Sequence, residues 1–146
     1  MQLEQLLTSA FKNGQFKGQL RFDESMSKYT TWRIGGKAEC VFRPVSVQDL
    51  QIVLKLVPEK LPIFWIGLGS NLLIRDGGLK GVVINTNGVI NQCEFKPQDD
   101  DSKILVKAQA GLSCASFSRK VANEGLIGAE FLSGIPGTMG GALAMN

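Results

Sequence analysis

Histidine is absent from this chain of 146 residues. Its absence excludes a Ser-His-Asp or Cys-His nucleophile and a histidine-based zinc site within the chain. Cysteine is scarce, and Cys40, Cys93 and Cys114 form no C-x-x-C pair and are odd in number. Such a set suits a reducing cytoplasm better than a disulfide framework, and we interpret these cysteines as small buried or half-buried hydrophobic residues.

Long apolar runs and clusters of like charge are also missing. No run approaches the length of a membrane span. The sixteen Lys and Arg residues, which give a net charge of +3, are spread along the chain and form no basic run. With 44% hydrophobic and 20% charged residues, the composition is typical of one soluble globular domain. We therefore expect neither a nucleic-acid nor a membrane partner, although a mildly positive surface suits an anionic ligand.

The N-terminal segment from Met1 to Gly14 has the apolar spacing of a short amphipathic helix. Its apolar residues at that spacing are Leu3, Leu6, Leu7, Ala10 and Phe11. The segment lacks the basic start, apolar stretch and cleavage site of a signal peptide.

A β-α-β unit is predicted next. Lys37–Arg43 has the pattern of a strand, Ser46 is a plausible N-cap for a helix, and Pro58 ends that helix. The predicted apolar face of the helix comprises Leu50, Val53, Leu54 and Val57. The apolar run Pro62–Ile66 stops abruptly at a glycine, which is typical of a buried strand that leads into a loop.

Three further strands are predicted in the second half of the chain. Gly81–Asn85 and Ile90–Phe95 are separated by the turn signal Asn87-Gly88, and Ile104–Ala110 alternates in polarity. The acidic run Asp99–Asp101 is either a metal cluster or a solvated turn, and its neighbours Pro97, Gln98 and Ser102 favour the turn.

The last predicted elements are helical. Ser113 is placed to cap a helix in which Phe117 and Val121 lie one turn apart, with Gly125 as its stop. From Gly134 the chain runs GIPGTMGGALAMN, a glycine-dense turn that opens into a helix of small residues. The whole pattern predicts an α+β fold with mixed sheets and no linker or repeat, and the abrupt tail suggests a fragment.

The first glycine-rich loop, GLGSN at residues 67–71, directly follows a predicted strand. Glycines let successive backbone N–H groups converge on a phosphate, with the Ser70 hydroxyl and the Asn71 amide as further donors. The loop matches neither a G-x-G-x-x-G fingerprint, because residue 72 is leucine, nor a Walker A motif, because no Gly-Lys-Ser/Thr triplet occurs.

The second glycine-rich loop spans residues 133–141. Pro136-Gly137 predicts a tight turn, Thr138 is a candidate cap for the following helix, and the paired glycines at 140 and 141 permit close approach of a flat or charged ligand. Two such loops suit a ligand with a pyrophosphate. Either loop alone is explained equally well as a tight turn that the chain path requires.

Three blocks together resemble the UDP-N-acetylenolpyruvoylglucosamine reductases. They are TWRIGGKA from Thr31 to Ala38, GLGSNLLIRDGGLKGVVI from Gly67 to Ile84, and GLIGAEFLSGIPGTMGGALAMN from Gly125 to Asn146. The similarity keeps the order and spacing of the blocks from about Tyr29 onward.

This resemblance implies an α+β FAD-binding domain of the type found in vanillyl-alcohol oxidase-like (PCMH-type) flavoproteins, built from two small subdomains and truncated at its C-terminus. The N-terminal helix and lead-in would span 1–28 and the incomplete FAD domain 29–146, without the substrate domain. The cofactor-binding residues implied are Gly67, Leu68, Gly69, Ser70, Asn71, Leu72, Gly111, Gly134, Ile135, Pro136, Gly137, Thr138, Gly140 and Gly141. Arg33 is either a phosphate contact or a solvated charge.

The resemblance also implies a reaction. In the family, a hydride passes from NADPH to FAD and then to the enolpyruvyl ether of a UDP-sugar, while a serine supplies a proton and an arginine and a glutamate stabilise the intermediate. Those three residues are expected downstream of Asn146, so no catalytic residue is assigned in this chain. We therefore expect the chain alone to bind flavin weakly or not at all and to be inactive.

Two other interpretations remain open from the residues. One is a flavin oxidase of the same superfamily that uses oxygen, although the block GIPGTMGGALAMN is closer to the reductases. The other is a non-catalytic nucleotide- or phosphate-binding module.

Overall fold

The computed structural model describes residues 3–99 and 103–145. In chain order its helices and strands are α1 (Leu3–Lys12), β1 (Gln19–Ser25), β2 (Lys37–Arg43), α2 (Val47–Leu56), β3 (Ile63–Ile66), β4 (Leu79–Asn85), β5 (Cys93–Pro97), β6 (Ile104–Ala108), α3 (Cys114–Asn123) and α4 (Met139–Met145). Short 3-10 helices occupy Met26–Lys28 and Glu130–Gly134. The predicted α+β fold is confirmed.

The larger sheet has four strands in the order β1-β2-β4-β3. β1 pairs antiparallel with β2, while β2 and β3 both run parallel to β4. The predicted β-α-β unit is therefore present as β2-α2-β3, but β4 is inserted between its two strands. The carboxyl ends of three parallel strands meet at one edge of this sheet.

The two faces of the larger sheet carry separate cores. On one face α1 and α2 cover a cluster that includes Leu7, Phe42, Val53 and Ile84. The other face buries a second cluster that includes Met26, Ala38, Val41, Ile66 and Val83. This two-sided burial is why the β2 and β4 segments are nearly continuous in apolar residues.

The smaller sheet is the antiparallel pair β5-β6. It contributes to a third core whose buried residues are Leu112, Cys114, Phe117, Val121 and Leu132. Phe117 and Val121 lie one turn apart on α3, so the predicted apolar stripe of that helix is confirmed. The chain thus forms two small α+β units, one around each sheet.

Local signals located the helices well. The Ser46 hydroxyl accepts a hydrogen bond of 3.1 Å from the Asp49 N–H at the start of α2, and Ser113 accepts an equivalent bond of 3.1 Å from Ser116 at the start of α3. Gly125 has φ of +70° just beyond α3, which suits its predicted role as a helix stop. The glycine-dense tail opens into α4 as predicted.

Several strand predictions need correction. The segment predicted at Ile90–Phe95 runs instead from Cys93 to Pro97, and the last strand ends at Ala108 rather than Ala110. The turn at Asn87-Gly88 does not join paired strands, because β4 and β5 belong to different sheets.

The strand β1 was not predicted from the sequence. It contributes only Leu20 and Phe22 to a core, and both are partly buried, so its apolar signal is weak. Because β1 pairs with β2 along its length, the lead-in before residue 29 shares the larger sheet. The domain boundary at residue 29 stays a prediction.

The structure places the remaining sequence features as follows. Cys40 and Cys114 are buried and Cys93 is half-buried, as predicted, and all three are free thiols. Asp99 is exposed, whereas Asp100 and Asp101 lie outside the described residues. In residues 3–99 and 103–145 no cluster of metal-ligating side chains occurs. No helix of that part of the chain is long and apolar enough to cross a membrane.

Candidate functional site

The first glycine-rich loop leaves the larger sheet where β3 ends at Ile66. The Ile66 carbonyl oxygen accepts a 2.9 Å hydrogen bond from the Thr86 N–H, which closes the ladder between β3 and β4. The loop therefore begins at the carboxyl edge of the parallel strands, where open α/β sheets bind their ligands.

The loop at residues 67–72 has a row of unused donors. Within the described part of the chain, none of the backbone N–H groups of residues 67–71 donates a hydrogen bond to another protein group, whereas Leu72 closes a turn over Ser70 and Asn71. Gly69 has φ of +76°, a conformation that glycine adopts at little cost. Successive free N–H groups in such a loop are suited to bind an anion.

Gly69 is required by close packing as well as by conformation. A Cβ at this position would collide with the carbonyl oxygen of Tyr29. The Gly69 carbonyl oxygen in turn accepts a 3.2 Å hydrogen bond from the Thr31 N–H. The segment Tyr29–Thr31 therefore packs against the back of the first loop. It supports the conformation of that loop and does not itself line the cavity.

The second glycine-rich loop lies directly against the first. The Ser70 hydroxyl donates a hydrogen bond to the Pro136 carbonyl oxygen, and a Cβ on Gly67 would collide with the Thr138 hydroxyl. Thr138 is almost completely buried, and its hydroxyl accepts a 3.4 Å hydrogen bond from the Gly141 N–H in the first turn of α4. This contact agrees with the predicted capping role of Thr138.

Backbone hydrogen bonds also fasten the second loop to the α3 layer. The Met139 N–H donates to the Leu112 carbonyl oxygen at 2.8 Å, and the Cys114 N–H donates to the Gly137 carbonyl oxygen at 3.0 Å. These two bonds flank a bridge between Ser113 and Thr138. The loop is thus held from both sides.

A cavity of about 500 Å³ lies between the two loops, within the size range of small-molecule sites. The predicted residues that line it are Gly67, Leu68, Gly69, Ser70, Asn71, Leu72, Ile135, Pro136, Gly137, Thr138 and Gly141. None of its described lining residues carries a charge. Attraction for an anion therefore comes from backbone N–H groups and polar side chains.

Three of the predicted residues do not line this cavity. Gly111 packs where a Cβ would collide with the carbonyl oxygens of Val89 and Thr86. The Gly140 N–H donates to the Ala110 carbonyl oxygen at 2.9 Å, and Gly134 lies at the end of a 3-10 helix. Close packing by itself therefore requires glycine at position 111. A flavin contact by Gly111, Gly134 or Gly140 stays a prediction.

The sequence did not identify several residues that the structure brings to the cavity. These are Trp65, Ile66, Ala142, Ala144 and Met145. Trp65 is in the edge strand β3 and is 54% exposed. This exposure is unusual for a large aromatic side chain, and the apolar sequence of the strand predicted burial. The small residues of α4 were a usable signal, because they leave room for close approach to a helix.

Arg33 lies outside the cavity lining. It has φ of +54°, and its N–H donates to the Thr30 carbonyl oxygen at 3.1 Å, which closes a tight turn. Its side chain is exposed. Its function stays open between the two alternatives.

Residues 38–146 match the FAD binding domain family. The fold, the paired glycine loops and this match define a class, and the chain belongs to the FAD binding domain family.

Known relatives are more specific. The chain is 50% identical over 129 residues to the UDP-N-acetylenolpyruvoylglucosamine reductase of Alkalilimnicola ehrlichii, and 49% identical over 130 residues to that of Nitrosococcus oceani. These alignments cover 88% and 89% of this chain but 41% and 42% of the relatives. The resemblance predicted from the three sequence blocks is confirmed, and the chain spans about two fifths of the length of these relatives.

A solved structure supports the fold. The crystal structure of UDP-N-acetylenolpyruvylglucosamine reductase from Thermus caldophilus superimposes with a TM-score of 0.59 at 24% identity, covering 88% of this chain and 41% of that one.

The residues of the cavity fit FAD. A pyrophosphate needs several donors in one concavity, and the free N–H groups of residues 67–71 supply them. Gly67 and Gly69 let the first loop pack against Thr138 and Tyr29, and Gly137 adds backbone without a side chain to the lining, which permits close approach. No acidic side chain in the described lining opposes the anion.

Proposed function

We propose that this chain is the FAD-binding part of a reductase that converts UDP-N-acetylglucosamine enolpyruvate to UDP-N-acetylmuramate, with NADPH as the hydride donor. The observation that carries the proposal is the run of free backbone N–H groups at residues 67–71, in a loop that lines one cavity together with residues 135–138. The names of relatives about half identical in sequence supply the substrate class.

The chain's own residues would bind and orient the cofactor. Residues 67–71 would hold the pyrophosphate through their N–H groups, with the Asn71 amide as a further donor. The Ser70 hydroxyl would contribute by holding the loop against Pro136. Residues 135–138 would form the opposite wall, since hydrogen bonds fix them to α3. A bound flavin supplies hydride transfer between a nicotinamide and the substrate.

The activity, the substrate and NADPH belong to the proposal, because the chain spans about two fifths of its relatives (41% and 42%). No residue of this chain is assigned the proton transfer or the stabilisation of the intermediate. The proposal also places the protein in the cytoplasm and in peptidoglycan precursor synthesis, with consequences for cell-wall formation, cell shape, the cell cycle and division.

The test uses the full-length product of the gene, purified with its flavin. We expect bound flavin by visible absorbance, and NADPH oxidation that depends on the UDP-sugar, with the reduced product identified by mass spectrometry. Gly69→Ala should lose flavin because its Cβ meets the Tyr29 carbonyl oxygen. Gly77→Ala is the matched control, since nothing lies within 4 Å of a Cβ there.

Two results would contradict this function. If both glycine variants retain flavin equally, the first loop is not part of the cofactor site. Flavin reoxidation by oxygen, without turnover of the UDP-sugar, would favour an oxidase of the same superfamily.

A further inference from the structure

A second cavity of about 390 Å³ lies at the same edge of the larger sheet. It shares only Gly67 and Leu68 with the first cavity. Unlike the first, its described lining contains cationic side chains, those of Arg21, Lys28 and Arg43. The phenol of Tyr29 and the amides of Asn85 and Asn87 also line it.

The sheet topology explains why these side chains converge. Arg43 is the last residue of β2 and Asn85 is the last residue of β4, and these strands run parallel, so both residues lie at the carboxyl edge. The antiparallel pairing of β1 sets Gln19 opposite Arg43. Arg21 follows two residues later, on the same face of the sheet as Gln19.

The cavity carries unbalanced positive charge. Among the described residues, the one carboxylate that forms ion pairs with the lining cations is that of Glu24, which lies 3.7 Å from Arg21 Nη1 and 3.3 Å from Lys28 Nζ. Arg43 forms no ion pair with a described residue, and its Nη2 donates a 3.2 Å hydrogen bond to the Asn87 carbonyl oxygen. Three cations against one carboxylate leave a surplus of two positive charges (3 − 1).

An uncommitted donor, the Asn85 amide, accompanies this charge. The Asn85 Oδ1 accepts a 2.9 Å hydrogen bond from the Asn87 N–H, while its Nδ2 donates to no described residue. Burial, followed by the charge and hydrogen bond of Glu24, raises the pKa of Tyr29 above its ordinary value. The phenol therefore stays protonated at neutral pH and adds no negative charge to the cavity.

We propose that this second cavity binds a phosphate group at a site distinct from the flavin cavity. A phosphate dianion balances two positive charges, and the planar guanidinium of Arg43 suits its geometry. The group belongs either to free inorganic phosphate or to a phosphomonoester on a nucleotide. The site goes beyond the proposed function and does not depend on it.

The test is a titration of the full chain with inorganic phosphate, followed by calorimetry and by ³¹P NMR. Arg43→Gln and Lys28→Gln should each weaken binding about tenfold, because each removes a charge-assisted contact. Lys60→Gln is the matched control, since Lys60 is exposed and precedes β3 at the opposite edge of the sheet. Circular dichroism of each variant verifies that it is folded.

The outcomes separate the two sites. The described lining of the flavin cavity contains no cation, so phosphate bound there would not respond to Arg43→Gln or Lys28→Gln. Unchanged phosphate affinity in both variants, or an equal loss in all three, overturns the proposal. Flavin binding is measured separately in the same variants, so a failure here leaves the proposed function standing.

Competition experiments with two nucleotides identify the source of the phosphate. Competition against inorganic phosphate by NADP⁺ but not by NAD⁺ would assign the site to a nucleotide phosphomonoester. Phosphate binding that neither nucleotide displaces, yet that still falls in Arg43→Gln, would assign it to the free anion. Either result supports the site.

Discussion

Asp49 is a charged residue that the fold buries, with 6% of its surface exposed. Its Oδ1 accepts a 2.9 Å hydrogen bond from the Lys17 N–H, and its Oδ2 accepts one of 3.2 Å from the Val45 N–H. The carboxylate thus joins the connection before β1 to the start of α2. The local sequence does not signal the contact with Lys17, because that residue is 32 positions away.

Removing that carboxylate should destabilise the fold. Asp49→Ala leaves two backbone donors in a partly buried site without acceptors, and we expect a loss of about 1–3 kcal/mol in the free energy of unfolding. Urea denaturation measures it. Glu59→Ala, at an exposed position, is the control and should change stability little; equal stability of the two variants would show that Asp49 is not a structural tie.

The thiols should differ in reactivity. Burial, with smaller contributions from Glu39 and Glu4, raises the pKa of Cys40 to about 12. The thiolate is the reactive form, so Cys40 should resist alkylation of the native protein at pH 8. Cys93, which is half-buried, should react first, as mass spectrometry after brief labelling would reveal. Labelling of Cys40 ahead of Cys93 would contradict the buried position.

The Cys40 thiol should also make the free energy of unfolding depend on pH in the alkaline range. Since its pKa is higher in the folded state than its ordinary 9.0, its contribution is fully present below pH 9 and is lost as the pH rises toward about 12. Cys40→Ala should therefore have a shallower decline in unfolding free energy between pH 8 and pH 10 than the parent. Parallel declines would exclude this linkage.

At the scale of elements, helix signals predicted more than strand signals did. A capping serine acts on its own first turn, so Ser46 and Ser113 were recognisable from nearby residues. A strand is completed by partners elsewhere in the chain. β1 was missed because its half-buried face contributes few apolar residues, and β5 was misplaced because turn residues at 87 and 88 did not predict its partner.

The cap of α2 offers a direct measurement. Ser46→Ala removes the acceptor of the Asp49 N–H and should cost about 1 kcal/mol of stability. Ser9→Ala in the middle of α1 is the control, since Ser9 is exposed and alanine has the higher helix propensity. Thermal unfolding should separate the two variants, and equal melting temperatures would contradict the capping role.

For the whole molecule, the decisive contact joins two loops that are far apart in sequence. Ser70 and Pro136 are separated by 66 residues, and their hydrogen bond closes the wall of the first cavity. Both loops were recognised from glycine content. That they face one another, with Trp65 and Met145 beside them, was not derivable from spacing.

Ser70→Ala should weaken flavin binding in the full-length gene product. It removes the loop-to-loop hydrogen bond that holds the first loop against Pro136, so we expect about a tenfold loss of affinity. Fluorescence titration of the apoprotein with FAD measures it. Ser133→Ala, outside the cavity lining, is the control; if it weakens binding as much as Ser70→Ala, the hydroxyl has no specific role.

The sequence by itself determined the helix caps, the amphipathic helix, the two glycine loops and the family, because these depend on residues close together or on blocks in fixed order. Only the tertiary structure decided that β4 lies between β2 and β3. It also decided that the loops enclose a cavity and that Arg21, Lys28 and Arg43 share another. Strand order and convergence depend on backbone pairing and burial between distant segments, and local spacing does not encode which segments pair.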